Sequence, residues 1–168
     1  MQLYKNFCKE TTDENGKLTS FELVFPENYN FGYDVVDKMA ELAPNDTAVV
    51  WTNPEKEEKI FTYSDISKLS NKAANVFRNH GIKKGDKVLV ILKRNYEYWY
   101  VAPALHKLGA VIIPATNLLT QSDISYRVKT AGIKAAVCTP DETTAEDVLA
   151  VASQPNTLET VFVPRKQI

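Results

Sequence analysis

The stretch Gly81-Ile82-Lys83-Lys84-Gly85-Asp86-Lys87 brings glycines and lysines together and is the first to test for phosphate chemistry. A phosphate loop needs a strand before it and a helix after it, so that backbone amides and a helix N-terminus point at the anion. Here the order is reversed, with a helical pattern before and a strand pattern after. The segment therefore reads as a surface turn carrying solvated lysines. Gly16, Gly32, Gly109 and Gly132 are isolated, so no other glycine-rich loop is present.

Nucleophilic catalysis needs a serine or cysteine with a base beside it and an oxyanion site. The chain has no Gly-x-Ser-x-Gly elbow. His80 and His106 fall near helix C-termini, where a histidine partners the helix dipole. With Cys8 and Cys138 far apart, neither a zinc site nor a disulfide framework is expected. Tyr96, Tyr98, Trp99 and Tyr100 form an aromatic cluster. Basic residues do not interleave it, so it reads as helix-to-sheet packing rather than a platform for nucleic-acid bases. Arg127 reads by default as half of a surface ion pair. No catalytic residue and no metal ligand is expected within this sequence.

The elements that must position these residues follow from periodicity. Phe21 to Phe25 reads as a short strand ended by Pro26. Phe31 to Leu42 carries Val35, Val36, Met39 and Leu42 at helical spacing and stops at Pro44 and Asn45. Asp46 to Trp51 and Lys59 to Thr62 read as a small hairpin. A strict alternation then begins. Thr62 with Asp65 opens a helix with Ile66, Leu69, Ala73, Val76 and Phe77 on one face, and Gly81 ends it. Val88 to Leu92 is a continuous apolar run, as in a strand buried on both faces. A helix from about Tyr96 to Leu108 contains Pro103, where a kink or a restart is expected. Strands are expected at Ala110 to Ile113, Lys134 to Cys138 and Leu158 to Val163. Helices open at Thr120 with Asp123, and at Thr139 with Pro140 in the first helical position and Glu142 in the third. Such alternation implies right-handed βαβ units. The expected fold is α/β, a mostly parallel sheet flanked by helices, with a small N-terminal hairpin.

The chain has 168 residues, 44% hydrophobic and 24% charged, and a formal net charge of −1 from 20 basic and 21 acidic residues. That balance suits a soluble globular protein and offers no global basic excess for nucleic acid or anionic membrane. The N-terminus lacks the apolar stretch of a signal peptide, and Tyr98 to Leu105 is too short to span a bilayer. Scarce cysteine favours a reducing cytoplasm.

Four segments in order resemble the adenylate-forming superfamily of acyl-CoA synthetases, luciferases and adenylation domains. Phe61-Thr62-Tyr63-Ser64-Asp65-Ile66 resembles its Phe/Leu-Thr-Tyr-x-Glu-Leu motif. Gly81 to Val88 resembles Gly-Val-x-x-Gly-Asp-x-Val. Leu105 to Pro114 resembles the segment holding Lys-x-Gly-Ala-x-x-x-Pro. Ser122 to Val128 resembles the Asp-Ile-x-Tyr-Arg helix start. Tyr29 to Asp37 and Glu97-Tyr98-Trp99 are most similar to medium-chain and acetyl-type acyl-CoA synthetases, with Tyr96 and Tyr98 as departures from Pro-Glu-Trp-Trp. The resemblance implies an enzyme that joins a carboxylate to ATP, releases pyrophosphate, and passes the acyl group from AMP to coenzyme A. The complete enzyme would need ATP, Mg²⁺ and CoA.

The family's Ser/Thr-Ser-Gly-Thr-Thr-Gly-x-Pro-Lys loop, Tyr-Gly-x-Thr-Glu motif, Thr-Gly-Asp motif and C-terminal lysine do not occur here. The resemblance thus implies an incomplete first subdomain, with residues 1–30 as an extension and 31–168 as the partial subdomain. Such a fragment would be inactive alone, and its partners would be the rest of the synthetase and a small carboxylic acid. Thr116 and Asn117, in the turn after Pro114, resemble a loop near the family's CoA channel; medium-chain relatives carry Gln where this chain has Leu118. Two other readings stay open: a stand-alone binding or interaction module, and a relative that adenylates an aryl acid or amino acid. A severed sheet leaves apolar surface and an open edge, so self-association as a homodimer is expected.

Overall fold

The computed structural model describes residues 3–140 and 143–164. Two hairpins precede the main sheet. In the first, β1 (Cys8–Thr12) pairs antiparallel with β2 (Leu18–Leu23). The sequence reading anticipated a strand near β2, at Phe21 to Phe25, but not β1, whose Cys-Lys-Glu-Thr-Thr has no apolar alternation. The turn is what closes this hairpin. The Asp13 carboxylate accepts from the amides of Asn15 and Lys17, both at 2.9 Å. The second hairpin is the expected one, β3 (Thr47–Thr52) with β4 (Glu58–Thr62).

Between them the expected helix from Phe31 to Leu42 is divided. Gly32–Asp37 is a π-helical segment, and α1 covers Lys38–Leu42. Such segments are rare and shift the helical phase by about one residue. Gly32 lies hard against Pro103 and Lys107, and the π segment carries the chain from there to Asp37, which pairs with the buried Lys107 ammonium.

The alternating half follows the sequence closely. Helix α2 (Tyr63–Asn79) starts at a reciprocal capping box between Thr62 and Asp65, and α4 (Gln121–Ala131) at one between Thr120 and Asp123. Helix α3 (Tyr98–Leu108) ends at Gly109 in the left-handed conformation and runs as one helix through Pro103. The parallel strands are β5 (Lys87–Ile91), β6 (Val111–Pro114), β7 (Ala135–Cys138) and β8 (Thr160–Phe162), in the spatial order β6-β5-β7-β8. Helix α5 (Thr144–Ala152) starts later than expected. The Thr139 amide donates to the Ile91 carbonyl at 2.8 Å, which extends the sheet by one residue, and Pro140 lies in a bend ahead of the helix. Asp141 and Glu142 of that expected helix start lie outside the described residues.

Strand periodicity sorts the core into two layers. Val88, Val90 and Leu92 face α2 and α3, packing with Ala74, Phe77, Val101, Ala104 and Leu105. Leu89 and Ile91 face α4 and α5, packing with Ile124, Val128, Val148 and Val151. The continuous apolar run of β5 is therefore buried on both sides, as a central parallel strand must be.

Candidate functional site: the cleft at the carboxyl ends of the strands

The strand order decides where a ligand can sit. From β5 the chain passes through α3 to β6 on one side, then through α4 to β7 on the other. Loops leaving β5 and β7 therefore diverge over opposite faces of the sheet. In open parallel sheets the crevice outside the carboxyl ends at such a reversal is the usual ligand site. Here that crevice opens between residues 92–97 and the residues after Cys138.

Two adjoining cavities occupy it. One of about 260 Å³ is lined by Val90, Leu92, Lys93, Arg94, Tyr98 and the turn Pro114 to Asn117. The other, about 1090 Å³, is bounded by the β3–β4 hairpin, by residues 93–97, and by Asn117, Leu118, Pro140 and Pro164. Lys93, Arg94 and Asn117 line both. Lys93 adopts a left-handed backbone, φ +48°, an uncommon conformation for a residue with a β-carbon. The Arg94 side chain is exposed and enters no hydrogen bond or ion pair among the described residues. Two cations thus stand at the end of the central strand.

The β3–β4 hairpin holds this loop in place. The Trp51 indole Nε1 donates to the Arg94 carbonyl at 2.6 Å. The Lys59 ammonium donates to the Tyr96 hydroxyl at 3.0 Å and lies 4.3 Å from the Tyr96 ring centroid. The Tyr96 ring packs against Trp51 at 5.2 Å and Phe61 at 5.4 Å. Tyr100, half-buried one helical turn on, has its phenol pushed up by burial first and by the nearby Glu97 carboxylate second.

Thr116 and Asn117 line the small cavity together with Lys93 and Arg94. The Thr116 hydroxyl accepts from the Leu118 amide at 3.2 Å and so shapes the turn. Sequence reasoning misses Lys93, Arg94, Trp51 and Lys59. The only signal in the sequence is a pair of cations directly after an apolar strand, and its meaning depends on strand order.

The other sequence candidates lie elsewhere. The Gly81 to Lys87 turn sits at the amino end of β5, opposite the cleft. It is closed by Lys134, whose ammonium donates to the Gly81 carbonyl at 2.8 Å and the Asp86 carboxylate at 2.9 Å. That hydrogen bond holds the Asp86 carboxyl below its ordinary range. Cys138 is fully buried and its thiol is pushed up to about 11 by desolvation, so it is an inert core residue. His80 bonds through Nδ1 to the Val76 carbonyl at 2.8 Å. His106 differs from the dipole partner expected: its Nδ1 is buried without a partner among the described residues, and burial pushes its pKa down. Arg127 donates to the Asp123 carbonyl of its own helix at 3.1 Å and forms no ion pair with another described residue. In the aromatic cluster Tyr98 and Tyr100 pack towards the sheet as expected, but Tyr96 packs on the β3–β4 hairpin and Trp99 stays 52% exposed.

Sequence reasoning also missed one buried polar cluster. The Lys107 side chain is 1% exposed, and its ammonium donates to Asp37 Oδ1 at 2.6 Å, Ser70 Oγ at 2.9 Å and Asn71 Oδ1 at 2.8 Å. An ammonium has three donors, and all three are used. Ser67 adds a hydrogen bond to the same Asp37 oxygen at 2.7 Å. This cluster joins the π segment, α2 and α3.

Comparison with known proteins settles the family. The model for "AMP-binding enzyme" matches residues 36–167. The chain belongs to the AMP-binding enzyme family. It is 34% identical over 149 residues to human acyl-coenzyme A synthetase ACSM3, mitochondrial, covering 85% of this chain and 25% of that protein. It is 35% identical over 118 residues to rat acyl-coenzyme A synthetase ACSM5, mitochondrial, covering 67% of this chain and 20% of that protein. Among solved structures, a Mycobacterium tuberculosis fatty acyl CoA synthetase superposes with a TM-score of 0.70 at 25% identity, over 80% of this chain and 26% of that one. A long-chain-fatty-acid-CoA ligase of Archaeoglobus fulgidus superposes at 0.72 and 20% identity, over 88% of this chain and 30% of that one, and shares the fold. This family member thus spans roughly a quarter of such relatives' length, 20% of the rat protein and 25% of the human one. Among its described residues no group of three His, Cys, Asp or Glu could hold a metal ion, and no helix is long and apolar enough to cross a membrane.

Proposed function

We propose that this chain is the opening part of the N-terminal subdomain of an AMP-forming acid–thiol ligase, and that it supplies one wall of a coenzyme A channel. The observation that supports the reading is the switch-point cleft, whose small cavity is lined by Thr116 and Asn117 together with Lys93 and Arg94. The donor set suits CoA. An amide and a hydroxyl match the amides of a pantetheine arm, and two cations match its phosphates. When bound, CoA supplies the thiol that takes up the acyl group. Thr116 and Asn117 would orient the arm, while Lys93 and Arg94 would hold the anionic end.

The chain's residues do not fit ATP with Mg²⁺. No glycine loop lies between a strand and a helix, and no carboxylate cluster is present among the described residues. Adenylation and the carboxylic acid pocket are assigned to other parts of the parent enzyme. The relatives' names favour an acyl acid as the parent's substrate.

The test has two arms. ATP–pyrophosphate exchange by the 168-residue chain with acetate through octanoate should stay at buffer level. Calorimetric titration with CoA should give saturable binding that Asn117→Ala or Arg94→Ala weakens. Clear exchange overturns the fragment reading, and no CoA binding overturns the channel reading.

Two further expectations rest on the same reading. Self-association is supported by exposed Phe21 and Leu23 on the N-terminal hairpin and Phe25 just after it; a clean monomer in light scattering at high concentration counts against it. A reducing compartment, the cytoplasm, is supported by two free, buried cysteines. The relatives named as mitochondrial make the organelle the alternative, and cell fractionation distinguishes the two.

A further inference from the structure

We infer that Trp51, which lies on the hairpin rather than on the sheet, is a positioning residue for the switch-point loop and sets where Arg94 stands in the cleft. The inference rests on the CoA-channel reading for its ligand but on separate observations for its geometry.

The chain turns sharply where β5 ends. Lys93 takes a left-handed φ of +48°, and non-glycine residues hold that conformation only when their surroundings enforce it. The next three residues show what enforces it. The Arg94 carbonyl receives the Trp51 indole N–H at 2.6 Å, and the Asn95 amide donates back to the Leu92 carbonyl at 2.8 Å. Tyr96 is packed by Trp51 and Phe61 and bonded by Lys59. The side-chain contacts just named that reach the loop from outside it all come from β3 or β4. The cross-strand pairing of Trp51 with Lys59 puts both side chains side by side on the inner face of the hairpin. The neighbouring pair Val50 and Ile60 points outward and is exposed.

Only one of these contacts is a directional bond to the backbone of the cation itself. The Trp51 N–H to Arg94 carbonyl bond fixes the peptide from which the guanidinium projects. With that bond gone, the guanidinium keeps its charge but loses its preset place, so part of the binding free energy goes into ordering the loop. Trp51 also lines the cleft, so the inference must be separated from direct ligand contact.

A double-mutant cycle makes that separation. Trp51→Phe keeps an aromatic ring against Tyr96 and removes the N–H; Trp51→Met serves if the first variant folds poorly. CoA affinity of Trp51→Phe should fall about fivefold, the scale of one net hydrogen bond, with little change in melting temperature. Arg94→Ala should weaken binding by itself. Adding Trp51→Phe to Arg94→Ala should cost nothing further, because the group being positioned is gone. Undiminished affinity in Trp51→Phe overturns the inference, and so does an additive loss in the double variant, which would mean that Trp51 touches the ligand directly. If the wild-type chain binds no CoA, the channel reading fails and the inference is decided without ligand. Amides of residues 93–97 should then exchange faster in Trp51→Phe while those of β5 do not change, and unaltered exchange of that loop overturns it.

Discussion

Asp37 is the anionic partner of a lysine that has almost no contact with water, and removing it should be among the most damaging polar substitutions in the chain. The Lys107 side chain is 1% exposed, and of its three acceptors only Asp37 carries charge. Asp37→Ala leaves the ammonium facing Ser70 and Asn71, with one donor unpaired. Breaking a buried ion pair from one side costs about 3–5 kcal/mol. The Asp37 side chain is 24% exposed, so water enters readily at that position and the low end, about 3 kcal/mol, applies. For a domain of this size, about 2–4 °C per kcal/mol converts that to a fall of roughly 6–12 °C in the melting temperature. Thermal melts followed by circular dichroism would measure it. Adding Lys107→Met to Asp37→Ala should recover much of the loss, since an apolar side chain of similar length has no charge to strand. A fall below about 2 °C for Asp37→Ala, or a further loss on adding Lys107→Met, would refute the reasoning. It would mean that the ammonium reaches solvent or is held by Ser70 and Asn71 alone.

Two more substitutions test the same region. A β-carbon on Gly32 would lie 2.6 Å from Lys107 Cγ and 2.9 Å from the Pro103 carbonyl oxygen. Gly32→Ala should therefore lower stability by about 1–3 kcal/mol, as overpacking does, and an unchanged urea midpoint would show that the π segment can lift away freely. Burial holds the His106 pKa below its ordinary value, so the unfolded chain takes up that proton first as pH falls. The stability it contributes is present above about pH 6.5 and is lost as pH falls through the lower folded pKa. His106→Phe, which keeps a ring against Phe31, should flatten the melting-temperature profile on the acid side of neutrality; parallel profiles for variant and wild type would count against it.

The alternating half of the fold was legible because each signal there is local. A capping box needs only Thr62 and Asp65, or Thr120 and Asp123, and both form as the spacing implies. The buried run Val88 to Ile91 needs only its own composition to read as a central strand. Where the reading went astray, a distant partner had intervened. Helix α5 starts at Thr144 and not just after Thr139, whose amide is taken by Ile91 on the neighbouring strand. Gly32 to Asp37 has α-helical spacing but adopts a π turn, wedged against α3 and tied to a lysine 70 residues away. Strand β1 has no apolar pattern and exists because the Asp13 to Lys17 turn folds it onto β2.

The site divides in the same way. Thr116 and Asn117 lie in the turn after β6, a local feature that the motif ending at Pro114 marks. Lys93 and Arg94 have no such mark, because nothing in Leu92-Lys93-Arg94-Asn95 states that the chain goes left to β6 and then right to β7. That reversal is a property of the strand order, set by how four strands and their crossover helices bury two apolar faces at once. The sequence by itself determined the family, the βαβ repeat and the absence of a phosphate loop, all written in short-range spacing. The tertiary structure alone decided that the β3–β4 hairpin reaches Arg94, that Lys107 is buried with all its donors used, and where the cleft opens, because each depends on residues that meet only after the sheet has closed.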